Sequence, residues 1–212
     1  MATSASSDPN RAASGSRQKK LSIRDLVSAG VFIALFCVFT MIGGMFTGPN
    51  PVFTFAMPPV VALLTGPIYL LLIAKVPKHG PIIILGVIMG LLMFATGMYW
   101  LWSIAYVVLA VAADLVAGAG GFKNRTLNIL SFLVFSLNPL GSYAMLWIDP
   151  SGYSSYLVGK GTEQAYMDTM MATGTIWVLV IMIVATLACA LISALVGMRL
   201  LRKQFEKAGV TA

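Results

Sequence analysis

The chain has 212 residues, of which 58% are hydrophobic and 10% charged. A soluble domain carries about 25% charged residues, so this composition excludes an ordinary soluble globule and points to a polytopic membrane protein. The formal net charge of +7 does not indicate nucleic-acid binding, because the basic residues gather at the ends of apolar runs, where they orient membrane helices.

Residues 1–20 are rich in Ser and Ala, turn basic towards Lys19 and Lys20, and contain no apolar stretch. They read as a disordered cytoplasmic tail. The first apolar run, about residues 26–46, is long enough to cross a bilayer and lacks a signal-peptide cleavage pattern, so it reads as a mature helix. It opens with "LSIRDL", in which Ser22 can cap and Asp25 can complete a capping box. Gly30 and Ala34 then share one helix face, a spacing that lets another helix approach closely. The pairs Gly86–Gly90 and Ala190–Ala194 have the same spacing.

Residues 43–59, "GGMFTGPNPVFTFAMPP", carry no charge and hold three glycines and four prolines. They read as an outer lid leading into a second span, about 54–75, with a kink or broken first turn at Pro58 and Pro59. Further spans are expected at about 81–97, 102–119, 127–147 and 174–199. The apolar runs are continuous rather than alternating, which excludes a barrel. The expectation is therefore an all-α membrane domain of six helices over residues 21–205, followed by a short C-terminal tail, 206–212.

Lys and Arg occupy alternate connections. Arg17, Lys19, Lys20 and Arg24 precede the first span, Lys75 and Lys78 follow the second, Lys123 and Arg125 follow the fourth, and Arg199, Arg202, Lys203 and Lys207 lie at the C-terminal end. The first and third connections have none, and the fifth, about 148–173, has Lys160 against Asp149, Glu163 and Asp168. By the positive-inside rule both termini face the cytoplasm of a cell (plasma) membrane, and the breaker-rich links and the long fifth loop lie outside.

Motifs for catalysis are missing: there is no HExxH, Gly-x-Ser-x-Gly or Walker A pattern, so this chain is neither an ATPase nor a recognisable enzyme, and no cofactor is expected. The sole histidine, His79, lies in the inner turn "KVPKHGP". Asp114, the clear acid within a span, is expected to pair with Lys123 or Arg125 at the cytoplasmic interface. Cys37 and Cys189 lack metal-ligand spacing and read as small core residues.

What remains is a set of Met, aromatic and amide side chains near the outer ends. Candidate substrate-binding residues are Met45, Asn50, Phe53 and Met57 around the first outer link and Tyr99 and Trp100 in the third connection. The fifth span adds Asn138, Tyr143 and Trp147, and Trp177 begins the sixth. A Trp or Tyr at these depths also serves simply as an interfacial anchor. Asn138 is more telling, because Pro139 frees a carbonyl and opens the helix beside it. Together these features describe an outward-facing cavity for a small, uncharged to weakly polar guest.

The pattern resembles the substrate-binding (S) components of energy-coupling factor (ECF) transporters, and most closely their Trep_Strep / MptE-like branch. It is carried by "LSIRDLVSAGVFIALFCVF" at 21–39, "ADLVAGAGGFKN" at 113–124 and the long fifth loop. The resemblance implies a micronutrient-binding subunit that works with a membrane coupling (T) component and two cytosolic ATPase subunits, which alone use ATP. It assigns Gly30 and Ala34 to the T-component contact and residues 48–51 to a loop closing over the ligand. Haem is an alternative cargo, for which Met and Tyr walls are suited. A self-sufficient secondary carrier or channel is the competing class, and would call for buried ionisable groups and internal repeats.

Overall fold

A computed structural model of the chain describes residues 21–207. The expected tail, 1–20, and residues 208–212 lie outside that range. Among the described residues there is no strand; the elements are α1 (Ile23–Thr47), a 3-10 turn (Phe53–Ala56), α2 (Met57–Lys75), α3 (Pro81–Ala95), α4 (Trp100–Ala119), α5 (Arg125–Phe135), α6 (Leu140–Tyr143), α7 (Met145–Ile148), α8 (Pro150–Gly159), α9 (Gln164–Thr173) and α10 (Ile176–Lys207). Five segments are long and apolar enough to cross a membrane: Ile23–Thr47, Phe53–Lys75, Trp100–Ala119, Arg125–Ile148 and Ile176–Leu201. Over the remaining expected span, 81–97, the chain forms the 15-residue α3, which at 1.5 Å per residue is about 22 Å long and falls short of the other five.

Local chemistry explains where the helices begin. Ser22 caps α1: its hydroxyl accepts from Asp25 N at 3.2 Å, and the Asp25 carboxylate accepts from Ser22 N at 2.8 Å. Pro58 and Pro59 fall in the first turn of α2, where a missing N–H breaks no intrahelical bond. The irregularity expected there appears just upstream, as the 3-10 turn. Asn50 closes that link by accepting from Val52 N and Phe53 N at 2.9 and 3.1 Å.

Two prolines within the apolar segments are accommodated by polar side chains. Pro67 lies inside α2 and cannot donate to the Leu63 carbonyl; Ser193 of α10 donates to that oxygen instead, at 2.6 Å. Gly66 and Gly197 allow the approach, since a Cβ on Gly197 would fall 2.9 Å from Pro67 Cα and one on Gly66 only 2.3 Å from Ser193 Oγ. Pro139 likewise cannot donate to the carbonyl of Phe135, which accepts instead from Asn138 N at 3.2 Å. The Asn138 side-chain amide donates to it at 2.8 Å, and the chain restarts as α6.

The long segments run end to end past one another. α2 is central, packed against α10 and α1, and α3 pairs with α4. At mid-depth Tyr69 O–H donates to Ser131 Oγ at 2.7 Å, and Ser131 in turn donates to the Ala113 carbonyl at 2.7 Å, tying α2, α5 and α4 together. The small-residue pairs divide by role. Gly86 and Gly90 lie against α4, where added Cβ atoms would meet Tyr106 O at 2.7 Å and Ser103 O at 2.8 Å. Ala190 and Ala194 are fully buried. Gly30 and Ala34 are exposed, and a Cβ on Gly30 would meet nothing within 4 Å.

At the end of the bundle bearing Lys75, Lys78, Lys123 and Arg125, the structure corrects the expected pairing of Asp114. Its partner is His79, whose Nδ1 lies 2.5 Å from Asp114 Oδ2, while Gly80 N donates to Oδ1 at 3.1 Å. Lys123 and Arg125 are exposed. A carboxylate at this depth needs a partner held in place, and the "KHGP" turn carries one directly to it. The imidazole stands edge-on to Phe122 with centroids 4.9 Å apart. It occupies the space over Gly118, where a Cβ would come within 2.1 Å of Cε1. Lys78 of the same turn pairs with Asp25, so one short connection fastens α1, α3 and α4.

Candidate functional site

The opposite end holds a cavity of about 610 Å³, within the range of small-molecule sites. α1 contributes its last two turns, from Thr40 to Thr47, and the link beyond it contributes Gly48 and Pro49. α3 and the turn after it contribute Met93 and Thr96 to Met98, and α4 contributes Trp102. The fifth connection, expected as an irregular loop, folds instead into α8 and α9, which form the remaining wall and roof. The start of α8 is written in the sequence: Asp149 caps it, accepting from Gly152 N at 2.9 Å, and Pro150 takes the first helical position.

Six of the thirteen methionines face this space: Met41, Met45, Met57, Met93, Met98 and Met170. Unbranched thioether side chains make a wall that adjusts to an apolar guest without a large packing penalty. Most of the polar groups around it are committed to one another. Tyr143 O–H reaches the Thr54 carbonyl at 2.9 Å and Thr54 Oγ1 at 2.8 Å. Tyr153 and Ser142 hydroxyls lie 3.3 Å apart. Trp102 Nε1 donates to Asn138 Oδ1 at 2.8 Å. Tyr166 O–H donates to the Gly48 carbonyl at 2.7 Å, joining α9 to the link after α1 across the top of the cavity.

Burial pushes the Tyr153 phenol up to about 12 and raises that of Tyr166 as well, the exchange of water for apolar neighbours being the main cause in both. Both are therefore neutral hydroxyls at physiological pH. Among the described residues no group of three or more His, Cys, Asp or Glu could hold a metal ion.

Of the residues the sequence nominated, Met45, Met57 and Tyr143 line the cavity. Asn138 lies one layer behind, 4% exposed, where it satisfies the Phe135 carbonyl and orients the Trp102 ring that does face the space. Trp147 is also structural, its Nε1 donating to the Gly174 carbonyl at 2.9 Å. Tyr99 is buried among Tyr153 and Tyr156, with ring centroids 5.2 and 5.0 Å away. Asn50 caps the lid turn, while Phe53, Trp100 and Trp177 are exposed on the exterior, as interfacial anchors are. The residues that sequence reasoning missed are chiefly Thr40, Tyr153, Lys160 and Tyr166. Three of these come from the segment read as a loop; the signal in the sequence is the Asp149–Pro150 helix start followed by Tyr153 and Leu157 four residues apart.

Comparison with known proteins places the chain in a family without assigning it an activity. No curated protein and no solved structure gives a match. A family model described as a hypothetical bacterial integral membrane protein (Trep_Strep) matches residues 23–207, and the chain belongs to that family.

Proposed function

We propose that this protein is the substrate-specificity subunit of an ECF-type importer, receiving a small micronutrient at the outer face of the plasma membrane. In this reading α3 counts as a sixth crossing, both termini are cytoplasmic, and transport is powered by a T component with two ATPase subunits. The observation that carries the proposal is the separation of two surfaces. A roofed cavity lies at the end away from the basic turns, and the exposed small-residue face of Gly30 and Ala34 on α1 has no partner within the bundle. A subunit that binds at one end and docks laterally on another membrane protein needs both. The chain has no catalytic role in this scheme.

Haem remains the alternative cargo for the same cavity. It is favoured by the methionine and tyrosine walls, and an absorbance band from protein purified after growth with haem would single it out. A secondary carrier is the competing mechanism. Uptake by reconstituted vesicles that requires the coupling module and ATP supports the importer, whereas gradient-driven uptake by this chain alone overturns it. Gly30→Leu with Ala34→Leu is expected to abolish uptake while leaving substrate binding intact, because neither position packs inside the bundle. Accessibility labelling of residues 148–173 from the cytoplasmic side would place the cavity at the wrong face and refute the scheme.

A further inference from the structure

Lys160 and Thr40, both in the cavity lining, stand at opposite depths. Lys160 lines the mouth. Its ammonium rests 5.7 Å from the centroid of the Tyr156 ring, and neither of the ion pairs among the described residues involves it. No carboxylate belongs to the cavity lining. Thr40 lies at the floor, 1% exposed, and its Oγ1 has no hydrogen-bond partner among the described residues. A helical threonine can satisfy itself on the carbonyl four residues back, as Thr47 and Thr65 do here; Thr40 does not. An unpaired buried hydroxyl is costly, and a ligand atom would relieve it. Thr40 and Gly48 are eight residues apart along α1, which is about 12 Å of depth. Methionines line the space between.

We propose that the cavity takes an elongated amphipathic carboxylate, with its anionic end at Lys160, an apolar body along the methionines, and a polar atom presented to Thr40. This rests on the cavity being the receptor site and names the class of molecule it receives. It departs from the uncharged guest that the sequence alone indicates: the single cation at the mouth, facing no acid, sets a sign preference. A charge-assisted hydrogen bond in a part-apolar site discriminates strongly between a carboxylate and its amide.

The test uses the full-length protein in lipid nanodiscs and three probes: 6-hydroxy-2-naphthylacetate, its primary amide, and 2-naphthylacetate. Binding is read by equilibrium titration and thermal shift. The hydroxy acid should bind about tenfold tighter than its amide. Lys160→Gln should remove that preference while leaving the amide's affinity unchanged, and Lys160→Arg should restore it. Thr40→Val should abolish the advantage of the hydroxy acid over 2-naphthylacetate, yet raise the melting temperature of the ligand-free protein. Equal affinity for acid and amide, or a preference that survives Lys160→Gln, overturns the inference while leaving the receptor reading intact. Failure of all three probes to bind likewise overturns the inference, while reconstituted uptake with the coupling module and ATP still decides the receptor reading.

Discussion

The two ends of the bundle are held together by different chemistry. At the basic end, a five-residue turn sets one ion pair, Lys78–Asp25, and one histidine–carboxylate contact, His79–Asp114, against α1 and α4. Glycines at 80 and 118 leave no spare space around them. At the cavity end the cross-links are neutral hydrogen bonds from tyrosine and tryptophan to backbone carbonyls and hydroxyls, such as Tyr143 to Thr54 and Tyr166 to Gly48. A nearly buried carboxylate such as Asp114 is expensive to leave without its partner, whereas single neutral hydrogen bonds contribute about 1 kcal/mol each and exchange readily with water. One end is therefore fastened through carboxylates and the other through neutral hydrogen bonds around a cavity.

That contrast can be broken most severely at Asp114. His79→Leu leaves a nearly buried carboxylate without its partner and should cost about 3–5 kcal/mol of stability. The double variant His79→Leu with Asp114→Leu should recover much of the loss, and thermal unfolding in detergent measures both. Next in size is Asn138→Ala, which strands the Trp102 N–H and removes the stronger of two hydrogen bonds to the Phe135 carbonyl. Unfolding should show a loss of about 2 kcal/mol, with ligand affinity falling because the Trp102 ring is no longer fixed.

Tyr166→Phe sharpens the comparison from the other side. It removes one neutral bond across the roof, so stability should change by about 1 kcal/mol or less. Ligand dissociation should accelerate about fivefold, as stopped-flow release would register. The smallest effect concerns pH. Because the folded pKa of Tyr153 is raised to about 12, folded protein holds that proton more tightly than unfolded chain, whose tyrosines titrate near 10. This contribution is intact below pH 10 and is lost as pH climbs towards 12. Ultraviolet titration should show a late-ionising tyrosine that vanishes in Tyr153→Phe.

Features governed by neighbouring residues were legible from the sequence. The Ser22–Asp25 box, the irregular entry to α2 and the break at Asn138–Pro139 all depend on side chains within four positions of one another. Features set by distant partners were not. Lys123 and Arg125 are closer to Asp114 in the chain, but His79, 35 residues back, reaches it because the turn before α3 folds over the end of α4. Trp147, Tyr99 and Asn138 look like ligand groups when only residue type and depth are considered. Their polar atoms and faces are already used, by Gly174, Tyr153 and Phe135 respectively. The cavity wall contributed by α8 and α9 was hidden because those helices are short and weakly apolar, and only packing into one cluster with Phe55, Tyr143 and Leu146 gives them a buried side.

The shortness of α3 has a consequence for the surrounding lipid. On the proposed reading in which α3 is a sixth crossing, acyl chains along the flank formed by α3 and α4 would meet about 22 Å of apolar helix on α3, against a hydrocarbon thickness of about 30 Å. The bilayer must dimple there, or the protein must lean, to avoid wetting hydrocarbon. Because α3 ends at the cavity wall, the dimple would lie beside the ligand's entrance and shorten the path from headgroups to the binding space. Membranes of shorter-chain lipids would accommodate that flank with less deformation.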